Sequence, residues 1–310
     1  MKHLGDIRGK LNSLIRDSFV DTTEYKFLHH YTDLDSAKSI IEKGQFWVSD
    51  AFTTNDVNEI VHIRNVIKKV LLNDFQNRSA EIEDICLTFF DRACELIKKN
   101  TFILCFSLTK DSKPLWKYYA KRDSKIGVCM RFDFNTIKPN LLLELEVQKR
   151  VFMDANEHDV EVTLKVLDHR VFYSSKEKDD KIKEYLELVA DVLERIDLDS
   201  FNTQLYEEEL GLLCEIFTDI LLFSFISKDS SWKDEEEYRM VFIFPDVSQC
   251  DSLLKIRKRG TLDIRYVSLS MKTNNTFSLS RIYVKSRNDV KYVKKSVKRY
   301  IAEDVKVKEI

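Results

Sequence analysis

Apolar residues follow a strand-like spacing in short segments that are spread over the whole chain. Most of these segments are rich in β-branched and aromatic residues and are bounded by turn-forming or charged residues, as is typical of strands. The run TFILCFS (101–107) is apolar at nearly every position, which predicts a buried central strand. Strands are predicted at 27–32, 45–49, 101–107, 126–134, 141–153, 162–174, 238–244, 253–257, 261–270 and 279–285.

Apolar residues recur at helical spacing in two long segments, residues 57–99 and 177–227, and each segment has room for two helices. A shorter helix is predicted after Asp35 and Ser36, which can cap its first turn, and Gly44 ends this helix. Further helices are predicted over PLWKYYAK (114–121), over residues 288–303 and, with weaker periodicity, over residues 1–20.

The order of these elements predicts one α+β domain over residues 1–310. Strands and helices do not alternate regularly, which favours a mixed, mostly antiparallel sheet with two helical insertions at about 57–99 and 177–227. The C-terminal helix at about 288–303 closes the domain. Only three prolines and six glycines occur in the chain, so no flexible linker is expected to divide it.

Composition and charge narrow the class of protein. Hydrophobic residues make up 44% of the 310 positions, so the chain can bury a large core and is not intrinsically disordered. The formal net charge of -2 does not fit a uniformly basic nucleic-acid-binding protein. No signal-peptide-like apolar segment and no apolar run of membrane length are present, which predicts a cytoplasmic protein without membrane contact.

The cysteines and the missing motifs exclude several classes of enzyme. None of the six cysteines forms a C-x-x-C motif and several lie in apolar runs, which indicates buried free thiols rather than disulfides or zinc ligands. The chain has no G-x-G-x-x-G loop, no P-loop, no H-E-x-x-H and no G-x-S-x-G. These absences argue against P-loop nucleotide hydrolases, zinc proteases and α/β-hydrolases.

The first of three remaining polar clusters is His29-His30-Tyr31-Thr32, at the end of a predicted strand and just before a helix. Adjacent strand residues point to opposite faces, so one histidine faces the core and the other faces away from it. A histidine held by a nearby carbonyl for structural reasons is the common case. A histidine, an aromatic ring and a hydroxyl group together are also a combination that can hold a sugar and a ring.

The second cluster is Cys105-Phe106-Ser107, followed by Trp116, Tyr118 and Tyr119. The aromatic residues have two interpretations, because rings at helical spacing are usually core residues but can also form a wall for a flat heterocycle. Ser107 also has two interpretations, because it can cap a turn or belong to an active site.

The third cluster is the segment Trp232–Arg239, with the sequence WKDEEEYR. Glu235, Glu237 and Arg239 alternate into a predicted strand and are therefore expected to share one face. A run of charges is often a solvated surface. A carboxylate that enters an apolar strand beside an arginine is also a candidate for catalysis, because such groups are partly buried and paired.

The ordered set of short motifs resembles a bacterial family of unknown function that is itself similar to ADP-ribosyltransferases. Many members of that family resemble toxins or phage-defence effectors. The match covers about residues 25–245. The motifs that carry the resemblance are HHYT (29–32), TNDVNE (54–59), CFS (105–107), WKYYA (116–120), GVCMRFD (127–133) and WKDEEEYR (232–239).

The resemblance implies a sheet of the ADP-ribosyltransferase type, NAD as the substrate and no metal. It assigns catalysis to His30, Ser107, Glu235 and Glu237. Glu237 would stabilise the cationic transition state of nicotinamide–ribose cleavage, and Ser107 would brace Glu237. His30 would hydrogen-bond a ribose, and Glu235 would orient the acceptor. The substrate-binding residues implied are Tyr31, Thr32, Trp116, Tyr119 and Arg239.

The partners implied by the resemblance are a macromolecular acceptor, either protein or nucleic acid, and an antitoxin or partner subunit. Two alternative functions remain open. One is a metal-dependent nuclease, because Asp133, Glu146 and Lys149 lie in strand-like segments, although their spacing is unusual for such a site. The other is a non-catalytic module that senses a nucleotide in the same cleft.

Overall fold

A computed structural model of the chain describes residues 4–19, 25–53, 58–74, 80–120, 126–139, 141, 165–196, 206–244, 254–259, 261–273 and 276–310. The helices in these ranges are α1 (Leu4–Phe19), α2 (Leu34–Lys43), α3 (Asn58–Asp74), α4 (Ala80–Ile97), α5 (Ser175–Leu193), α6 (Glu207–Ser224) and α7 (Arg287–Val297). Shorter helical stretches are Lys113–Leu115, which continues as the π-helix Trp116–Ala120, residues 134–139 and the 3-10 helix Ser230–Glu235.

The described strands are β1 (Phe27–Asp33), β2 (Gln45–Asp50), β3 (Thr101–Ser107), β4 (Gly127–Asp133), β5 (Lys165–Arg170), β6 (Glu237–Ile243), β7 (Leu254–Arg259), β8 (Leu262–Ser270), β9 (Lys272–Thr273), β10 (Thr276–Phe277), β11 (Leu279–Val284) and β12 (Lys306–Glu309). The chain is therefore a mixed α+β protein, as the sequence predicted. Of the helices in the described part of the chain, none is both long and apolar enough to cross a membrane.

The chain forms two compact units. The first is helical and combines Met1–Thr22, Ala51–Thr101 and Leu167–Ser231. In this unit α6 contacts α1, α3, α4 and α5. Its buried residues lie all round the helix and include Leu212, Leu213, Ile216, Phe217 and Ile220. A helix that is apolar on every side needs neighbours on every side, which is why the two predicted helical insertions pack together.

The second unit contains most of the sheet and combines Thr23–Asp50, Phe102–Val166 and Trp232–Ile310. Its strand order is β12-β11-β4-β1-β3-β2-β8-β7, and β6 also pairs with β3. β1 runs antiparallel to β3 and β4, and β2 runs antiparallel to β3 and β8, whereas β11 and β12 are parallel. The mixed, mostly antiparallel sheet predicted from the sequence is thereby confirmed.

One face of this sheet carries the main core of the second unit. Alternate residues of β3 and β6 belong to it, among them Phe102, Leu104, Phe106, Tyr238 and Met240. The intervening residues of these strands point to the opposite face. Because most residues on that second face are buried as well, β3 is apolar along nearly its whole length.

Most predicted elements are confirmed, with three differences. The helix α2 is capped by Asp33, whose carboxylate accepts from the backbone N–H of Asp35 and of Ser36, both at 3.0 Å. The predicted cap at Asp35 and Ser36 was wrong by two residues, because Asp33 has the extended backbone that a cap requires. Gly44 ends this helix at a φ of 61°, as predicted.

The other two differences concern the middle of the chain and the C-terminus. The predicted strand at 141–153 lies almost entirely outside the described residues, and Leu141 itself is helical. Of the strand predicted at 162–174, residues 165–170 form β5 and residues 162–164 lie outside the described residues, whereas Ser174 caps α5. The C-terminal helix α7 ends at Val297 rather than near residue 303. The prediction of a single domain stays a prediction, and the five described cysteines are free thiols.

Candidate active site

The end of β3 brings two of the three polar clusters of the second unit to one face of the sheet. Ser107 is the last residue of β3 and pairs directly with His29 of β1. Residues that are opposite one another on antiparallel strands point to the same face. Since Phe106 and Leu28 belong to the core on the other side, Ser107 and His29 share the face that points away from that core.

A hydrogen bond connects Ser107 to the third cluster. The Ser107 hydroxyl donates to the carbonyl oxygen of Glu235 at 2.7 Å, and the backbone N–H of Leu108 donates to the carbonyl oxygen of Glu236 at 2.8 Å. Ser107 is fully buried. Ser107 therefore braces the turn that precedes Glu237, in contrast to the predicted contact with the Glu237 side chain itself.

The three consecutive glutamates occupy three different backbone environments. Glu235 ends the 3-10 helix and is fully buried, and Glu237 begins β6. Between them Glu236 has a φ of 44°, a left-handed conformation that is unfavourable for a residue other than glycine. The predicted strand alternation from Glu235 to Arg239 was wrong at Glu235, because the strand starts only at Glu237.

Glu237 and Arg239 form a buried ion pair. The Arg239 Nε lies 2.7 Å and its terminal Nη2 lies 2.6 Å from the same oxygen, Oε2 of Glu237. The two side chains are 6% and 5% exposed, so the pair is shielded from water. The predicted counter-charge of Glu237 is thus Arg239, and both side chains point to the same face as Ser107, because Tyr238 and Met240 point to the core.

His30 and Thr32 lie on the other face of the sheet. The His30 ring packs edge-on against Phe46 and Phe106, with ring centroids 5.2 Å and 6.0 Å apart, and its Nδ1 lies 3.2 Å from the carbonyl oxygen of Cys105. Burial lowers the pKa of His30, so the ring is neutral. The structure does not bring His30 together with Ser107 and Glu237, and the histidine that shares their face is His29.

His29 is a buried, neutral histidine on that shared face. It is 6% exposed, and its Nδ1 has no hydrogen-bond partner among the described residues. Burial lowers the pKa of His29 to about 4, against a hydrogen bond with the Ser107 backbone that raises it, and the positive charges of Arg131 and Lys110 lower it further. A neutral imidazole with an unused ring nitrogen can donate to or accept from a bound hydroxyl group.

The predicted aromatic wall is largely part of the packing. Tyr31 lies edge-on to Trp116 with ring centroids 5.4 Å apart, and its hydroxyl donates to the carbonyl oxygen of Thr109 at 2.8 Å. The Tyr31 hydroxyl also accepts from the backbone N–H of Ser112 at 3.0 Å. Tyr31 and Trp116 therefore hold the loop after β3 in place, and the half-buried Tyr119 packs against the same cluster.

The π-helix Trp116–Ala120 packs closely on β4. A Cβ atom added at Gly127 would lie 2.8 Å from the backbone carbon, the carbonyl oxygen and the Cβ of Ala120. Backbone atoms cannot move aside as a flexible side chain can. Gly127 is thus required for the π-helix to reach the strand beside the candidate site, and π-helices are often found at functional sites.

We expect Gly127→Ala to destabilise the protein by about 1–3 kcal/mol, because the added methyl group overpacks a rigid contact. The free energy of unfolding from a urea titration measures this change. The matched control is Gly211→Ala in α6, where an added Cβ meets nothing within 4 Å. That control should stabilise the helix by up to about 1 kcal/mol. Equal effects of the two substitutions would contradict the close contact.

Sequence reasoning named His29 but assigned the role to His30, and it missed Arg131 and Arg281, which share the face with Ser107 and His29. The strand register that brings them together involves residues far apart in sequence, so only the alternation within HHYT pointed to His29. Asp133 of the alternative nuclease site ends β4, whereas Glu146 and Lys149 lie outside the described residues, as do residues 54–57 of the TNDVNE motif. Within the described ranges no group of three or more His, Cys, Asp or Glu side chains could hold a metal ion.

Comparison with known proteins gives a family of unknown function for part of the chain. Residues 115–240 match the family model described as "Protein of unknown function (DUF2971)". This range contains the π-helix, β4, both helices of the second helical insertion and the Glu235–Arg239 segment. Neither a curated protein nor a solved structure matches the chain.

Proposed function

We propose that this chain is an ADP-ribosyltransferase-like enzyme that uses NAD to modify a macromolecular acceptor. The observation that carries the proposal is the hydrogen bond from the Ser107 hydroxyl to the carbonyl oxygen of Glu235, at 2.7 Å. It joins the end of the central strand to the turn that leads into Glu237. Two contacts support the proposal: Ser107 is paired with His29 of the first cluster and is hydrogen-bonded to Glu235 of the third. The proposal therefore gives His29 the role that the resemblance implied for His30.

The residues of this site support the chemistry of nicotinamide–ribose cleavage. Arg239 holds one oxygen of the Glu237 carboxylate with two guanidinium nitrogens, in an environment shielded from water. A fixed negative charge of this kind stabilises the positive charge that develops on the ribose in the transition state. His29 provides a neutral ring nitrogen for a hydroxyl group of the substrate. Glu235 is separated from Glu237 by Glu236, whose backbone is strained.

The setting that we propose is a toxin or a phage-defence effector. This part of the proposal rests on the resemblance of the short motifs, and it includes a protein or nucleic-acid acceptor and an antitoxin or partner subunit. The burial of the Glu237–Arg239 pair favours a second candidate, a non-catalytic module that binds the same nucleotide. In that case the pair holds the fold together and the nucleotide is not cleaved.

Incubation of the purified protein with NAD labelled in its adenine ring, in the presence of a cell lysate, tests the proposal. We expect free nicotinamide to be released and the label to become attached to protein, RNA or DNA. Binding of NAD without release of nicotinamide would support the non-catalytic module instead. Unchanged NAD with no measurable binding would contradict both candidates.

A further inference from the structure

Five residues from five neighbouring strands form one row on the face that carries Ser107. Strand register places Ser107 of β3 opposite His29 of β1, His29 opposite Arg131 of β4, and Arg131 opposite Arg281 of β11. Lys306 of β12 is paired with Arg281 and ends the row. Residues paired in this way are neighbours on the same face. The row therefore changes from a hydroxyl and a neutral ring at one end to three cations at the other.

The two arginines at the centre of the row lie directly opposite one another, which is unfavourable for like charges on neighbouring strands. Both are half-buried. Among the described residues, neither guanidinium group has a carboxylate oxygen within 4.0 Å. Arg239 and Arg265 of the same unit differ in this respect, because they pair with Glu237 and Asp50.

The contacts that the two arginines do make leave most of their hydrogen-bond donors available. Arg131 donates from Nε to the Ser280 hydroxyl at 2.9 Å and lies over the Phe27 ring, 3.9 Å from its centroid. Arg281 donates from one terminal nitrogen to the Tyr283 hydroxyl at 3.4 Å, and its buried Nε has no partner in the described part of the chain. Neutral and aromatic groups thus orient both side chains without neutralising either charge.

A fourth cation, Lys110, lies close to the arginines of the row. The Lys110 Nζ lies over the Tyr283 ring, 5.6 Å from its centroid, on the side chain that also contacts Arg281. The acidic residue nearest in sequence, Asp111, is paired with Lys285. The positive charge of Arg131, Arg281 and Lys110 therefore remains uncompensated by the described side chains around it.

We propose that Arg131 and Arg281, with Lys110, bind the linked phosphates of a nucleotide. Two planar guanidinium groups side by side match a doubly charged diphosphate, because each can bind phosphate oxygens through two parallel hydrogen bonds. The ligand supplies the negative charge that the row lacks. The site does not depend on the proposed transferase activity, because binding needs no bond cleavage.

The burial of the nearby rings favours a small nucleotide over a nucleic acid. Single-stranded nucleic acids bind along exposed aromatic side chains on which successive bases stack. Tyr283 and His29 are 4% and 6% exposed and present no open ring face. Two adjacent half-buried arginines, with no exposed ring beside them, can bind one diphosphate group but offer no surface for stacked bases.

Isothermal titration of the full chain with ADP, pyrophosphate and adenosine tests this site. We expect ADP and pyrophosphate to bind and adenosine to bind at least about tenfold more weakly, because the charged hydrogen bonds are lost. Arg131→Gln and Arg281→Gln should each weaken ADP binding by about tenfold or more. The matched control is Arg287→Gln, which removes one positive charge from an exposed position at the start of α7.

Thermal unfolding identifies variants that fail to fold. If Arg281→Gln fails to fold, Arg281→Lys replaces it, because lysine keeps the positive charge but cannot form the bidentate contact with phosphate. Weaker ADP binding in that variant supports the site. Equal weakening by Arg287→Gln would overturn it, as would equally tight binding of adenosine. Binding of a single-stranded RNA oligonucleotide together with no binding of ADP would overturn it as well. Because ADP carries no nicotinamide, these results are separate from those of the NAD cleavage assay.

Discussion

Glu237→Gln should lower the rate of nicotinamide release from NAD by roughly 100-fold to 1,000-fold, because it removes the preorganised negative charge that we propose stabilises the transition state. Glutamine keeps the shape of the side chain and can still contact Arg239. The rate is measured at a temperature at which the variant is fully folded, since the buried pair with Arg239 is weakened at the same time.

The matched control for Glu237→Gln is Arg239→Lys, which perturbs the same buried pair but keeps the carboxylate and a neighbouring cation. We expect this control to change the rate by less than about tenfold, because the carboxylate that we propose stabilises the transition state remains in place. Equal losses in the two variants would show that the pair acts only on the fold. Such a result would remove Glu237 from the chemistry.

Arg239→Met should destabilise the protein by about 3–5 kcal/mol, because it leaves the Glu237 carboxylate buried without its cation. The pair is only about one-twentieth exposed, with side chains at 5% and 6%, so water cannot replace the lost contact. The free energy of unfolding from a denaturant titration at neutral pH measures the effect.

An exposed arginine provides the comparison for Arg239→Met. Arg287→Met removes the same group from the surface of α7 and should change the stability by less than about 0.5 kcal/mol. A loss of less than about 1 kcal/mol for Arg239→Met would mean that water reaches the pair. The buried ion pair described for the candidate site would then be contradicted.

The sequence predicted the fold class and the position of most strands, because burial on one or both faces leaves a clear pattern of apolar residues. β3 is the clearest case, since TFILCFS matches the strand Thr101–Ser107 residue for residue. The boundaries of helices and strands were predicted less accurately where a polar residue at the end of one element caps the next. Asp33 lies one residue beyond the strand predicted at 27–32, and its contacts with the N–H groups of Asp35 and Ser36 identify it as the cap of α2.

The candidate site was predictable in part. Ser107 and Glu237 stand out in sequence because each is a polar residue at the end of an apolar strand. The face of β1 was not predictable, because alternation alone leaves two choices and the structure selects His29 rather than His30. The pair Arg131 and Arg281 depends on strand register across 150 residues of sequence, which no local pattern contains.

We propose that His29, and not His30, acts together with Ser107 and Glu237, because these three residues share one face of the sheet. Nicotinamide release by His29→Gln and His30→Gln, measured side by side at a temperature at which both are folded, tests it most directly. We predict that His29→Gln lowers the rate by at least about tenfold, because a hydrogen bond to the substrate is lost. His30→Gln should keep the rate within about twofold but lower the unfolding temperature, because a ring packed against Phe46 and Phe106 is lost. Loss of activity in His30→Gln together with full activity in His29→Gln would show that His30, and not His29, contacts the substrate.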